Sequence, residues 1–272
     1  MENKPTTLDL SNLESDLALV KQAAKKAGEI ALSYFKSDNE IWEKSGGSPV
    51  SAADFAVDTY LKETLLKARP DYGWLSEETE DDTRSRLSKS TIFVVDPIDG
   101  TRGFLEGKSQ WCVSIAIVQD NLPILGVLEC PVLEETYWAA LNGGAYLNGT
   151  QLDLPKDKEV KTVTGSRILN VELAKSHKDT LSVTPFIPSL AYRIAMVANN
   201  AVDAGVARGG ARDWDLAAAD IILQEAGGML TDLDSKPRDY NRMSTGGSAL
   251  IAASKSRHST ILTLAKSDGF LQ

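Results

Sequence analysis

The spacing of apolar positions predicts two long helices at the start of the chain. In residues 13–36, apolar side chains recur three or four positions apart, which is typical of one face of an amphipathic helix. Residues 51–68 repeat this spacing, with Phe55 among the positions expected to face inward. The segment between them contains two glycines and a proline, so a turn or mobile loop is predicted over residues 41–50.

A different pattern begins near residue 91, where short apolar runs alternate with tight-turn signals such as Asn-Gly. Regular strands joined by such turns indicate an antiparallel meander. The predicted strands are residues 91–96, 111–118, 124–130, 136–140 and 145–147.

After about residue 160 the chain returns to alternating helices and strands. Helices are predicted over residues 189–204, 215–226 and from about 259, and strands over residues 229–232 and 249–253. This pattern indicates a mixed α+β and α/β architecture. We expect two halves packed closely as one unit, residues 1–155 with the antiparallel sheet and residues 156–272 with the alternating pattern.

Composition narrows the class of protein. The 272 residues include 38 acidic and 29 basic side chains, a formal charge of −9. A protein that mainly binds nucleic acid usually carries a basic surface, so no nucleic-acid partner is expected. Clustered carboxylates instead attract divalent cations.

Cysteine usage and hydropathy suggest a cytoplasmic protein. Cys112 and Cys130 both lie in apolar runs, as expected of buried thiols in a reducing compartment. The N-terminal segment is polar and acidic, and no apolar run is as long as a membrane span. We therefore expect no membrane partner.

The segment TIFVVDPIDGT, residues 91–101, ends a buried strand with two carboxylates, Asp96 and Asp99. The carboxyl ends of strands are where α/β enzymes place ligands, and Mg²⁺ prefers carboxylate oxygens. Gly100 allows close approach of the backbone, and a helix that begins at Thr101 would direct N–H groups towards an anion. The simpler alternative is a capped turn, with Asp99 as an N-cap.

Three further acidic positions each have a simple alternative explanation. Glu77, followed by a second glutamate, could begin the charged surface run of residues 77–90. Asp215 could be the N-cap of the helix that follows it. Asp54 could be a solvated acid in the first turn of its helix.

The combination is more specific than its parts. In the order Asp54, then SEE at residues 76–78, DPIDGT at 96–101 and WDLAAA at 214–219, the motifs resemble those of the inositol monophosphatase family of metal-dependent phosphomonoesterases. The resemblance extends over residues 15–255. It implies a layered αβαβα sugar-phosphatase fold, a small phosphate ester as substrate, and a homodimer.

The resemblance also implies a set of metal ligands. Glu77, Asp96 and the backbone carbonyl of Ile98 would hold a first Mg²⁺. Asp96 would bridge to a second ion, completed by Asp99 and Asp215. A third, weaker ion would bind Glu77 and waters, so two to three Mg²⁺ ions are expected.

The same resemblance implies roles in hydrolysis without a phosphoenzyme. Thr101, paired with Asp54, and Glu77 would orient and deprotonate the attacking water. The N–H groups of Gly100 and Thr101 would hold the phosphate, close to the metal ligands Asp99 and Asp215 in the substrate site. Inhibition by lithium is expected.

Substrate choice is less constrained by the motifs. In inositol-selective members of the family an acid lies about seven residues before the WD aspartate, where this chain has Arg208, with Arg212 nearby. Arginine pairs with phosphate in a bidentate manner, which would favour a 3′(2′),5′-bisphosphate nucleotide over inositol monophosphate. Both arginines could equally be surface residues. Ser189 corresponds to a family serine near the substrate and could also be an N-cap.

A third hypothesis is a non-catalytic regulatory protein associated with RNA processes. The acids of the motif are intact, which favours an enzyme.

Overall fold

The computed structural model describes residues 8–37, 40–43, 49–177 and 179–268. The elements of those residues follow in chain order. The helices are α1 (Leu13–Tyr34), α2 (Ala52–Ala68), α3 (Thr83–Leu87), α4 (Thr101–Leu105), α5 (Arg167–Ser176), α6 (Leu190–Ala198), α7 (Asp213–Glu225) and α8 (His258–Asp268). The strands are β1 (Ile41–Glu43), β2 (Pro49–Ser51), β3 (Gly73–Ser76), β4 (Thr91–Asp99), β5 (Cys112–Gln119), β6 (Leu122–Cys130), β7 (Glu135–Ala140), β8 (Ala145–Leu147), β9 (Thr150–Leu152), β10 (Thr162–Thr164), β11 (Ser182–Val183), β12 (Ala204–Ala207), β13 (Gly228–Thr231) and β14 (Leu250–Ser254).

The larger sheet contains seven strands in the order β3 to β9. Strands β4 to β9 form the predicted antiparallel meander, and β3 pairs parallel with β4. Strand β4 reads as a continuous apolar run because both of its faces are buried. Ile92 and Val94 pack on one side of the sheet, and Phe93 and Val95 on the other.

Five layers can be followed through the molecule. Helices α1 and α2 pack against the outer face of the large sheet. Helices α6 and α7 fill the space between that sheet and a five-stranded mixed sheet of order β11-β10-β12-β14-β13. Helices α5 and α8 cover the far face of the smaller sheet. The predicted layered αβαβα arrangement is confirmed. The division into residues 1–155 and 156–272 stays a prediction.

Two local predictions are wrong. The helix predicted over residues 189–204 ends at Ala198, because Asn200 adopts φ +59° and the chain then enters strand β12 between β10 and β14. Phe55 is 44% exposed rather than inward-facing, since helix α2 buries positions 53, 54, 57, 58, 61 and 65. Its ring packs edge-on against Trp42, with centroids 5.8 Å apart.

The charged run of residues 77–90 is only partly a surface feature. Arg86 is 1% exposed, forms an ion pair of 2.8 Å with Asp81 and donates to Asn241. Its burial is compatible with its charge because both interactions satisfy the guanidinium. The predicted glycine-rich turn of residues 41–50 falls largely on residues 44–48, outside the described residues. Over the described part of the chain, no helix has the length and apolar character needed to span a bilayer.

Candidate active site

Strand β4 brings two carboxylates to one end of the large sheet through an irregularity in its pairing. Asp96 lies opposite Ser114 and Asp99 opposite Cys112, with a register shift between the two pairs. A bulge of this kind bends a strand and changes the direction of its side chains. The backbone N–H of Ile98 donates to Oδ1 of Asp96 at 3.0 Å, which fixes the first carboxylate.

Asp99 is held from the opposite side by the start of helix α6. Its Oδ2 accepts hydrogen bonds from the Ser189 hydroxyl and from the Ala191 N–H at 2.7 Å. Gly100 makes this approach possible. Its φ is +97°, and a Cβ there would lie 3.1 Å from the backbone nitrogen of Ser189. The loop after β4 and the start of α6 therefore fit only with glycine at position 100.

The third carboxylate comes from helix α7. Asp215 is the third residue of this helix, and its Oδ2 accepts from the Arg212 N–H at 2.7 Å. One carboxylate oxygen from each of Asp96, Asp99 and Asp215 lies within 4.8 Å of the others. Two acids of strand β4 and one of the distant helix α7 thus converge on one point.

Burial and mutual repulsion disfavour three negative charges at this point. Asp96 and Asp99 are 1% and 7% exposed. Burial, followed by the negative charge of Glu77, raises the pKa of Asp96 well above its usual range. Burial raises the pKa of Asp99 to about 6, and burial together with the charge of Asp99 raises the pKa of Asp215 to about 8. An oxygen-only set of ligands with such repulsion fits a hard divalent cation.

Glu77 lies at the same opening. It follows strand β3, and its N–H donates to the carbonyl of Val95 at 3.2 Å. A cavity of about 230 Å³ opens over the carboxylates. Its walls are Pro49, Glu77, Asp96, Asp99, Gly100, Thr101, Arg102, Phe186, Pro188 and Asp215.

Thr101, in the cavity wall, is paired with a buried aspartate. The hydroxyl of Thr101 lies 3.3 Å from Oδ1 of Asp54 and 3.0 Å from the carbonyl of Ile98. The other oxygen of Asp54 accepts from the N–H and the hydroxyl of Ser51, at 2.8 and 2.7 Å. Asp54 is 1% exposed, so the structure brings it next to Thr101 as a buried acceptor rather than a solvated acid.

Two residues predicted to contact substrate are not in the walls of this cavity. The Ser189 side chain is buried, donates to Asp99 and accepts from the Tyr192 N–H as the N-cap of helix α6. Arg208 is exposed, and its Nη2 donates to both carboxylate oxygens of Glu172, at 3.0 and 2.8 Å. Neither residue lines the cavity, and their contact with substrate stays a prediction.

Three residues near the site had no signal in the sequence motifs. Arg102 and Phe186 line the cavity. Arg193, on helix α6, is 7% exposed, and burial lowers its pKa to about 10 while the carboxylates of Asp99 and Asp215 oppose that shift. The basic side chain at the fourth position of the otherwise apolar helix α6 could have indicated a buried guanidinium.

Comparisons with known proteins agree with the motifs. The model of the Inositol monophosphatase family matches residues 12–268. A 3′(2′),5′-bisphosphate nucleotidase CysQ from Aggregatibacter actinomycetemcomitans is 30% identical, over 82% of this chain and 86% of the relative. A histidinol-phosphatase from Mycobacterium tuberculosis is 32% identical, over 91% and 96%. A Thermotoga maritima IMPase has the same fold, with a TM-score of 0.82 at 24% identity over 93% and 97% of the two chains.

Proposed function

This chain belongs to the inositol monophosphatase family, and on that premise we propose that it is a Mg²⁺-dependent phosphomonoesterase that hydrolyses a small phosphate ester. Members of the family are phosphoric monoester hydrolases. The observation that carries the proposal is the convergence of Asp96, Asp99 and Asp215 within 4.8 Å at the floor of an open cavity. That arrangement suits divalent cations and a phosphate group together.

The residues that would hold the cations are the three aspartates, Glu77 and the carbonyl of Ile98. The Ile98 carbonyl accepts from Thr101, and its second lone pair can still bind a metal. We extend the proposal to two or three ions. When bound, the cations would neutralise phosphate oxygens, lower the pKa of a coordinated water and stabilise the leaving alkoxide.

Protein groups carry out the other steps of the hydrolysis. Thr101 orients the attacking water. A proton of that water passes through the threonine hydroxyl to Asp54, and Glu77 is a second acceptor. The water oxygen forms a bond to phosphorus while the ester P–O bond breaks, and the leaving alkoxide takes up a proton to give the free alcohol. The N–H groups of Gly100 and Thr101 hold the phosphate during this displacement.

Two substrate classes are candidates. Inositol monophosphate and similar polyol phosphates follow from the family. A 3′(2′),5′-bisphosphate nucleotide, as hydrolysed by CysQ enzymes, is the alternative, and the similarity to the CysQ relative supports it. The third possibility, a non-catalytic protein associated with RNA processes, predicts binding without turnover.

Release of inorganic phosphate from a panel of phosphomonoesters, measured with Mg²⁺ and with a chelator, tests the proposal. We expect Mg²⁺-dependent release that lithium inhibits. An absence of turnover on the whole panel would favour the non-catalytic alternative. The homodimer and the cytoplasmic location remain predictions, and light scattering of the purified protein tests the first of them.

A further inference from the structure

One buried arginine of helix α6 differs in its contacts from other buried arginines of the protein. Arg193 is 7% exposed, and its Nε donates to the carbonyl of Ser189 at 3.4 Å. No group among the described residues accepts a hydrogen bond from its buried Nη1. By contrast, the buried residues Arg86 and Arg257 each form an ion pair with an aspartate, at 2.8 and 3.0 Å. Burial of an unsatisfied N–H is unfavourable, so hydrogen bonds alone do not account for the position of Arg193.

The surroundings of Arg193 would suit an apolar side chain. The small cavity that it lines has a volume of about 10 Å³, room for one water at most, so no larger ligand pairs with the guanidinium there. Apart from Thr164 and Gly205, the other walls of this cavity are aliphatic, among them Ile194 and Leu216. A methionine at position 193 would avoid the cost of a buried charge. Packing therefore does not explain the guanidinium either.

Two of the predicted metal ligands act on Arg193 through their charges. Helix α6 packs against helix α7, and Leu216, which follows Asp215 in the chain, lines the same small cavity as Arg193. The first turn of helix α6 holds the carboxylate of Asp99. Burial lowers the pKa of Arg193, and the negative charges of Asp99 and Asp215 act in the opposite direction. The guanidinium is thus close enough to both carboxylates for their charges to interact.

We propose, on the premise of the proposed function, that Arg193 is a fixed counter-charge to the metal ligands and lowers the affinity of the site for Mg²⁺. In the metal-free protein the guanidinium offsets part of the negative charge of Asp99 and Asp215. When a cation binds these carboxylates, the guanidinium repels it through a buried environment, where charges are weakly screened. Arg193 is not in the walls of the open cavity, so it acts through the ligands and sets the Mg²⁺ concentration that the enzyme needs.

A purely structural role of Arg193 predicts the opposite change in metal binding. If Arg193 only supports Ser189 through the hydrogen bond to its carbonyl, loss of the guanidinium disturbs the contact of Ser189 with Asp99 and weakens the binding of Mg²⁺. If Arg193 is a counter-charge, its loss removes a repulsion and strengthens the binding of Mg²⁺. The sign of the change in affinity therefore distinguishes the two roles.

Calorimetric titration with Mg²⁺ measures this sign in the wild type and three variants. Arg193→Met removes the charge and fits the apolar surroundings, whereas Arg193→Lys keeps the charge. Arg257→Met is the matched control, because Arg257 is also 7% exposed but pairs with Asp157 and Asp203 and is not in the walls of the open cavity. The titrations are run at about pH 9, where protons compete less with the cation for the carboxylates.

We expect Arg193→Met to bind Mg²⁺ roughly tenfold more tightly than the wild type, a change of the size typical for groups behind a metal ligand. Mg²⁺ should therefore raise the Tm of this variant by more than it raises the Tm of the wild type. Arg193→Lys should bind Mg²⁺ much as the wild type does, because the charge remains. Arg257→Met should be less stable than the wild type, with unchanged affinity for Mg²⁺.

Unchanged or weaker binding of Mg²⁺ by Arg193→Met would overturn the inference, and so would an equal gain in Arg193→Lys. An Arg193→Met protein that stays unfolded in Mg²⁺ would also contradict it, because a cation that binds more tightly should replace the lost charge. Phosphate release tests the proposed function separately. A wild type that binds Mg²⁺ but hydrolyses no ester would refute the phosphatase activity and leave the role of Arg193 intact, whereas a wild type that binds no Mg²⁺ would refute both.

Discussion

The hydroxyl of Thr101 and the carboxylate of Asp54 lie 3.3 Å apart, although 47 positions separate them in the chain. Helix α2 presents the aspartate in its first turn, and helix α4 presents the threonine as its first residue. Ser51 donates to one carboxylate oxygen of Asp54, and the other oxygen faces Thr101. The pair can therefore accept a proton next to the predicted metal ligands.

Removal of the Thr101 hydroxyl tests this pair. Thr101→Val keeps the shape of the side chain, and we expect kcat to fall by about a hundredfold or more, as is usual when a proton acceptor loses its connection to water. Thr101→Ser keeps the hydroxyl and should retain most of the activity. Asp54→Asn should resemble Thr101→Val. Equal kcat values for the valine and serine variants would exclude a role for the hydroxyl.

Asp99→Asn should abolish turnover and leave the fold intact. The Ala191 N–H requires an oxygen acceptor, so the amide must turn its NH₂ group towards the cavity, where it cannot bind a cation. Thermal unfolding with and without Mg²⁺ reports the loss of metal binding, and circular dichroism reports the fold.

Asp16→Asn provides the matched control for that variant. Asp16 is also buried, but it pairs with Arg69 and Tyr72 away from the cavity. We expect its activity and its stabilisation by Mg²⁺ to be close to those of the wild type. Near-normal turnover by Asp99→Asn would remove Asp99 from the metal site.

Ser189→Ala should weaken the binding of Mg²⁺ rather than the binding of substrate. The hydroxyl orients the Asp99 carboxylate, and loss of a hydrogen-bond partner of a metal ligand typically lowers metal affinity by about tenfold to a hundredfold. Loss of the N-cap should also destabilise the protein by about 1 kcal/mol. Calorimetric titration with Mg²⁺ measures the loss of metal affinity, and the KM at saturating Mg²⁺ measures any loss of substrate binding.

Asp82→Ala serves as a control for the lost cap, because Asp82 caps helix α3 outside the site. It should lower stability by a similar amount and leave metal affinity unchanged. A higher KM with unchanged Mg²⁺ affinity in Ser189→Ala would instead support a direct contact of Ser189 with substrate.

The metal-free protein should become less stable as the pH rises from about 4 to about 8. The pKa values of Asp99, about 6, and Asp215, about 8, exceed the ordinary value of 3.8. The native state therefore binds more protons than the unfolded state in this range, and the free energy of unfolding falls with increasing pH. Saturating Mg²⁺ should reduce or reverse that fall, because cations bind the deprotonated carboxylates.

Urea unfolding at pH 5 and pH 8, with a chelator and with Mg²⁺, measures both slopes. Asp215→Asn should weaken the pH dependence of the metal-free protein because it removes one of the titrating groups. The same pH dependence with and without Mg²⁺ would contradict the prediction.

Much of the fold follows from local patterns in the sequence. The apolar runs of β4 to β8 and the helical spacing of α1 were visible because their periodicities match the faces that they bury. The end of helix α6 was not visible in the sequence. The residues Ala204–Ala207 have no pattern typical of a strand, and only their pairing with β10 and β14 identifies them as one. Phe55 was misassigned because an exposed aromatic ring, packed on Trp42, has the same sequence signal as a buried one.

The candidate site was also only partly predictable from the sequence. Asp96, Asp99 and Asp215 could be predicted as a group because their motifs occur in a recognisable order. The position of Ser189 behind Asp99, and of Phe186 in the cavity wall, depends on how α6 and the loop before it pack against the large sheet. Contacts between distant segments carry no periodic signal, so these neighbours of the three aspartates could not be predicted from local patterns in the chain.

The location of Mn²⁺ and inorganic phosphate in crystals grown with both tests the central claim most directly. The account predicts anomalous density for Mn²⁺ about 2 Å from carboxylate oxygens of Asp96, Asp99 and Asp215. It also predicts a phosphate that bridges these ions to the backbone N–H groups of Gly100 and Thr101. Mn²⁺ bound elsewhere, or a phosphate bound away from the three aspartates, would contradict it.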